Sequence, residues 1–103
     1  EEFHVLVLNA RHEVTCRCML TRGILDASLI HPREVFRLAV EEAAAAVILA
    51  HNHPSGDPTP SPEDRAVTRQ MVDAGRTLGI PVLDHVVLAD GAWASLMEGG
   101  DSG

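Results

Sequence analysis

The spacing of apolar and polar positions changes period along the chain, and each period predicts a different element. Residues 3–9 (FHVLVLN) are aliphatic and β-branched, which predicts a strand at the very start. Asn9-Ala10-Arg11-His12 supplies a turn and residues 14–21 a second strand, so the two form a hairpin. Gly23 breaks that strand, and residues 24–29 predict a short third one. The period then becomes helical. His31-Pro32-Arg33-Glu34 opens a helix with proline preset for its first turn, and Val35, Phe36, Leu38, Ala39, Ala43 and Ala46 carry its apolar stripe to about residue 46. Val47-Ile48-Leu49-Ala50 is wholly apolar, as expected of a buried central strand, and it ends at His51.

Residues 53–60 contain two turn signals, Pro54-Ser55-Gly56 and Asp57-Pro58-Thr59-Pro60, and read as a loop. Ser61-Pro62-Glu63-Asp64 combines an N-cap serine, a first-turn proline and acidic residues at the positive end of a helix dipole. The helix this opens runs to about residue 78, with Val67, Met71, Ala74 and Leu78 facing inward, until Gly79 ends it and Pro81 forbids its return. Residues 82–88 predict another strand, Asp90-Gly91 a tight turn, and residues 92–98 a short last element of open type. The glycine-rich tail, residues 99–103, is expected to be disordered. One domain over residues 1–98 accounts for the pattern, and its abrupt start suggests a piece of a longer protein.

Composition narrows the class. Hydrophobic residues make up 46% and charged residues 22%, which fits a globular domain. Phe3, Phe36 and Trp93 are the only aromatics, so the core must be built from aliphatic side chains and alanine. The net charge is −7 without any block of Lys or Arg, which argues against direct nucleic-acid binding, since that relies on clustered cations. No run of apolar residues is long enough to span a membrane, and no signal peptide opens the chain. Cys16 and Cys18 point the same way on a strand and are poorly spaced for an unstrained disulfide, so they read as small buried hydrophobes or as reduced surface thiols of a cytoplasmic protein.

The order strand–helix–strand–loop–helix–strand puts His51 and His53 at the carboxyl end of a central strand, where functional groups of α/β sheets gather. Two histidines one residue apart lie on the same face of an extended chain, so both imidazoles can reach one metal ion. Asp64 follows in the first turn of the next helix, beyond a proline-rich loop able to fold that helix start back over the strand end. Two neutral imidazoles and one carboxylate leave the fourth position of a tetrahedral zinc open, which is the catalytic rather than the structural pattern. Each residue also has a plain explanation: the histidines as partly buried polar groups, Ser61 as an N-cap, and Asp64 as the other half of a capping box.

His51-x-His53-Pro54 and Ser61-x-x-Asp64, with seven residues between His53 and Ser61, resemble the JAMM (MPN-plus) metalloprotease motif. More narrowly, His31-Pro32-Arg33-Glu34, the stretch from Ala50 through Asp57, Pro60-Ser61-x-x-Asp64 and Leu83-Asp84-His85 resemble the RadC family over nearly the whole chain. That resemblance implies an α/β fold with a mixed central sheet flanked by helices, similar to cytidine deaminases. It also implies zinc on His51, His53 and Asp64, and a glutamate on the first strand as general base. The family's Glu-x-Phe maps that base onto Glu1, with Glu2 as the alternative. Alternation puts Glu1 on the face of Phe3 and Val5, and Glu2 on the face of His4 and Leu6.

The chemistry these parts imply is metal-assisted hydrolysis of an amide, peptide or isopeptide bond in a peptide or protein substrate. Ser61 would donate a hydrogen bond to the oxyanion. Asp84-His85 reads first as a satisfied polar pair bordering the core, and otherwise as a pair in which Asp84 or His85 would orient a ligand; Thr68, one turn beyond Asp64, would hydrogen-bond its carboxylate. Zinc nucleotide deamination is set aside, because it needs His-x-Glu and Pro-Cys-x-x-Cys, and neither occurs. The competing reading is a non-catalytic binding or scaffold module of the same fold, associated with DNA repair or recombination. The exposed edges of a hairpin-led sheet would allow a homodimer.

Overall fold

The computed structural model describes residues 2–22 and 30–97. The strand expected over residues 24–29, the tail at 99–103 and Glu1 lie outside the described residues. The elements follow in the order β1 (Glu2–Leu8), β2 (Val14–Arg22), α1 (Pro32–Glu41), β3 (Ala46–Asn52), α2 (Pro62–Leu78), β4 (Val82–Ala89) and β5 (Ala92–Ser95). The strands form one mixed sheet in the order β2-β1-β3-β4-β5. Strand β1 is antiparallel to β2 and β3, β3 and β4 are parallel, and β5 closes the far edge antiparallel to β4. A parallel pair needs a crossover, and α2 supplies it. The expected α/β architecture is what the chain adopts.

Alternation along the strands decides which face is covered. Phe3, Val5 and Val7 of β1 and Val47, Leu49 and His51 of β3 are fully buried beneath both helices, packed with Val35, Phe36 and Ala39 of α1 and Val67 and Met71 of α2. The intervening residues turn to the opposite face. There Leu6, Ile48, Ala50, Val86 and Leu88 floor a groove of about 520 Å³ whose rim includes Glu2, His4 and Arg17. Strand β3 is therefore buried on one face and only partly covered on the other. Cys16 and Cys18 pair across the ladder with Val7 and Val5. Both are half-buried free thiols, with Sγ atoms 3.1 Å apart.

The first helix stops earlier than its alanine stripe predicts. His31 caps it, its Nδ1 accepting from Arg33 N–H at 3.1 Å, and the Glu34 carboxylate accepts from His31 N–H at 3.3 Å. At the other end Ala43 has a φ of +53°, and Ala44 N–H reaches back to the Ala39 carbonyl at 2.9 Å. This closure works without the glycine that usually marks it. Ala46, read as the end of the helical stripe, instead begins β3 and is buried there.

Helix α2 runs between the predicted residues, with Ser61 as N-cap and Gly79 in the left-handed region at φ +72°. Ile80 N–H bonds the Gly75 carbonyl at 2.9 Å, and the Ile80 side chain folds back into the core. Leu78, expected to face inward, is 52% exposed. The buried row runs through Asp64, Val67, Thr68, Met71 and Gly75, and Ile80 fills the space below the last turn.

Candidate metal centre

His51 is the penultimate residue of β3, lying opposite Phe3 on one side and Val87 on the other. Its ring stacks nearly parallel to that of Phe3, with an interplanar angle of 6° and centroids 6.0 Å apart. His53 follows just beyond the strand end. Its backbone N–H donates to the Leu88 carbonyl at 2.8 Å, and its Nδ1 pairs with the Asp57 carbonyl at 3.0 Å. The proline-rich loop then returns the chain, so that the first turn of α2 lies over the strand end.

There Asp64 closes a capping box. Its N–H donates to Ser61 Oγ at 3.0 Å, and its Oδ2 accepts from Ser61 N–H at 2.8 Å. The same carboxylate meets both histidines, with Oδ1 3.2 Å from His51 Nε2 and Oδ2 3.0 Å from His53 Nε2. Burial raises the Asp64 carboxyl pKa, but the His51 contact and the Ser61 backbone donor outweigh it and hold the group well below the usual carboxylate range. It is an anion at neutral pH.

His51, His53 and Asp64 together form a group that could hold a metal ion, with one donor atom of each within 4.8 Å of the others. Zinc bonds of about 2.0–2.1 Å at tetrahedral angles would separate neighbouring donors by roughly 3.3–3.4 Å. The two Nε2 atoms are 3.3 Å apart, and the nitrogen–oxygen separations are 3.2 and 3.0 Å. The two imidazole nitrogens thus stand at the spacing of one edge of such a tetrahedron, while the carboxylate meets them through different oxygens, Oδ1 toward His51 and Oδ2 toward His53. Two imidazoles and a carboxylate also match what a divalent ion of this kind accepts.

His85, inside β4, completes the surroundings. It is fully buried, and its Nε2 lies 2.8 Å from His51 Nδ1. Burial first, and then neighbouring His51, push its pKa from 6.5 down to about 3, so it is neutral near pH 7. Of the two residues expected to orient a ligand, His85 is the one that touches His51. Asp84 faces elsewhere, accepting from the Ser95 hydroxyl and from His85 N–H, which ties β4 to β5. Thr68 does not bond the Asp64 carboxylate as expected. Its hydroxyl donates to the Asp64 backbone carbonyl at 2.8 Å and lies 2.6 Å from His85 Nδ1. A helical threonine reaches the carbonyl one turn back readily, whereas this carboxylate is folded the other way over Ser61.

The two candidates for the base separate. Glu1 lies outside the described residues. Glu2 turns to the groove face, its carboxylate 2.9 Å from His4 Nε2 and 3.4 Å from Arg22 Nε, and the His4 bond holds its pKa below the ordinary value. The His51 imidazole lies on the other face of the sheet. Ser61 stands beside the donor group with its oxygen engaged as the helix cap.

A family model described as RadC-like JAB domain matches residues 1–101, and the chain belongs to that family. It is similar to UPF0758 proteins of several bacteria. The one from Symbiobacterium thermophilum is 57% identical over 97% of this chain and 43% of its own length. Those of Pelobacter propionicus and Listeria welshimeri are 52% and 49% identical over 97% of this chain, covering 44% and 45% of their own lengths. The chain therefore spans less than half the length of these relatives. Among the described residues, no helix is long and apolar enough to cross a membrane.

Proposed function

We propose that this domain is a zinc-dependent hydrolase of amide bonds, acting on a peptide or isopeptide bond of a protein or peptide substrate. The observation that carries the reading is the donor set of His51, His53 and Asp64, two imidazole Nε2 atoms 3.3 Å apart with one carboxylate against both, three protein ligands of the kind that leave a fourth zinc position for water. Bound zinc would supply Lewis acidity, making hydroxide available near neutral pH. The chain's own residues would do the rest. The Asp64 carboxylate offsets the charge of the ion while anchored by Ser61 N–H. Glu1 is assigned the proton-transfer role on the family resemblance, since the Glu2 carboxylate is occupied by His4 and Arg22 across the sheet. The Ser61 hydroxyl accepts from Asp64 N–H and keeps its own hydrogen to donate to a developing oxyanion. With a net charge of −7, the domain is not expected to contact nucleic acid directly.

A second reading, a binding module without turnover, is favoured by the capping box, because it gives Asp64 a structural reason to be present. Metal analysis separates the two. Purified protein is measured for zinc beside His53→Ala and Asp64→Ala, with circular dichroism to verify folding. About one zinc per chain, lost in both variants, supports the hydrolase and justifies screening peptide and isopeptide libraries. A folded native chain that takes up no zinc even when it is supplied refutes the hydrolase and leaves the binding module.

A further inference from the structure

Behind the three donors lies a buried chain of groups that are not themselves ligands. It starts at His51 Nδ1, passes 2.8 Å to His85 Nε2, then from His85 Nδ1 2.6 Å to Thr68 Oγ1, and ends 2.8 Å further on the Asp64 carbonyl oxygen. His51 and His85 are at most 1% exposed and Thr68 is 6% exposed, so solvent cannot substitute for any missing partner.

The directions of these bonds follow from counting hydrogens. A neutral imidazole that gives its Nε2 lone pair to a metal carries its hydrogen on Nδ1. For His51 that hydrogen points at His85 Nε2, which can accept it only if His85 carries its own hydrogen on Nδ1. The His85 hydrogen in turn points at the Thr68 oxygen, which accepts while the hydroxyl donates onward to Asp64. Every donor finds an acceptor. The chain ends on the backbone of the residue whose carboxylate is the third donor, so His51 and Asp64 are linked behind the metal position as well as through it.

The reverse sense also closes, with Thr68 donating to His85, His85 to His51, and His51 Nε2–H to the Asp64 carboxylate 3.2 Å away. A cation on His51 Nε2 removes that option. Metal histidines usually lean on a carboxylate or a backbone carbonyl. Here the partner is a neutral imidazole, which adds no negative charge to the site.

We propose that His85 and Thr68 are positioning residues that hold His51 with its hydrogen on Nδ1 and so present Nε2 to the metal. This rests on the metal-centre reading above. The test compares zinc affinity, by competition with a chromophoric chelator, in the native chain, Thr68→Val and Thr68→Ser. Valine keeps the shape but removes the hydroxyl, which orphans a buried N–H in the metal-bound state. Serine restores the hydroxyl. The expected result is a ten- to hundredfold weaker site in Thr68→Val and near-native affinity in Thr68→Ser.

Equal affinity in all three overturns the inference and leaves the metal centre standing. A loss as large in Thr68→Ser assigns the effect to the methyl group and also overturns it. A native chain that binds no zinc defeats the proposed function instead, and this inference with it. Nitrogen-15 NMR of the cadmium-loaded native chain gives a readout independent of any variant: hydrogens on Nδ1 of both His51 and His85 are expected, and a bare His51 Nδ1 overturns the assignment.

Discussion

Replacing Ser61 separates its two roles because one of them tolerates glycine and the other does not. Ser61→Ala removes the oxygen that accepts from Asp64 N–H at 3.0 Å. The reciprocal bond, Ser61 N–H to Asp64 Oδ2 at 2.8 Å, uses the backbone and survives. Loss of an N-cap side chain costs about 1 kcal/mol, within roughly 0.5–2, whereas glycine at the same position costs only a few tenths. For a domain of this size about 1 kcal/mol lowers the melting temperature by roughly 4–8 °C. Stability should therefore fall in the order serine, glycine, alanine. Turnover should follow a different order, because glycine and alanine lack the hydroxyl equally and would both be slow. The assay is thermal unfolding and zinc titration of Ser61→Ala and Ser61→Gly, followed by hydrolysis of whichever peptide the native chain cleaves. An unchanged melting temperature in Ser61→Ala refutes the cap. Native turnover in Ser61→Gly refutes the oxyanion role, and loss of zinc from folded Ser61→Ala refutes the idea that the backbone bond alone keeps the carboxylate in place.

In the metal-free chain, both His85 and Asp64 have pKa values depressed by folding, so the unfolded chain binds more protons and stability drops as the pH is lowered. The His85 share is intact above its ordinary value of 6.5 and is lost as pH falls toward about 3, while the Asp64 share is lost below 3.8. Urea midpoints that fall from pH 7 to pH 4 are expected, and a flat profile would contradict the neutral buried imidazole. Ala43→Gly relieves a left-handed alanine at φ +53°. The relief of about 1–2 kcal/mol is partly offset by about 0.4–1 from the looser unfolded chain, so a small rise in melting temperature is expected, and a fall would argue against this helix ending. Glu2→Gln should leave zinc binding and turnover unchanged, since its carboxylate serves His4 and Arg22; a turnover loss of a hundredfold or more would return the base assignment to Glu2.

What could be read from the chain depended on whether local chemistry or tertiary packing decided each point. Helix α2 announced itself, because Ser61, Pro62 and Gly79 act through bonds to their own neighbours. The donors were legible for a similar reason: alternate residues on a strand share a face, and a capped helix start fixes where Asp64 stands. The end of α1 was hidden because alanine favours helix and Ala43 adopts a conformation that no alanine advertises. Leu78 followed the apolar stripe yet fell on the last turn, after Ile80 had taken the space beneath. The hydroxyl of Thr68 and the ring of His85 meet only because β4 lies beside β3 in the sheet, and no spacing in the sequence encodes that adjacency.

The donors and the groups behind them lie on β3, the residue just beyond its end, α2 and β4, while among the described residues the β1–β2 hairpin reaches them through the ring of Phe3. Most of these contacts therefore bridge short stretches of chain, and short loops close early and at little entropic cost. The strand–helix–strand half can gather its donors before the hairpin docks against β3, so that an available ion would act on the folding barrier as well as on the finished protein. Refolding measured by stopped flow with and without zinc would register this as a faster folding limb, whereas a change confined to the unfolding limb would mean that the ion arrives only after the sheet is complete.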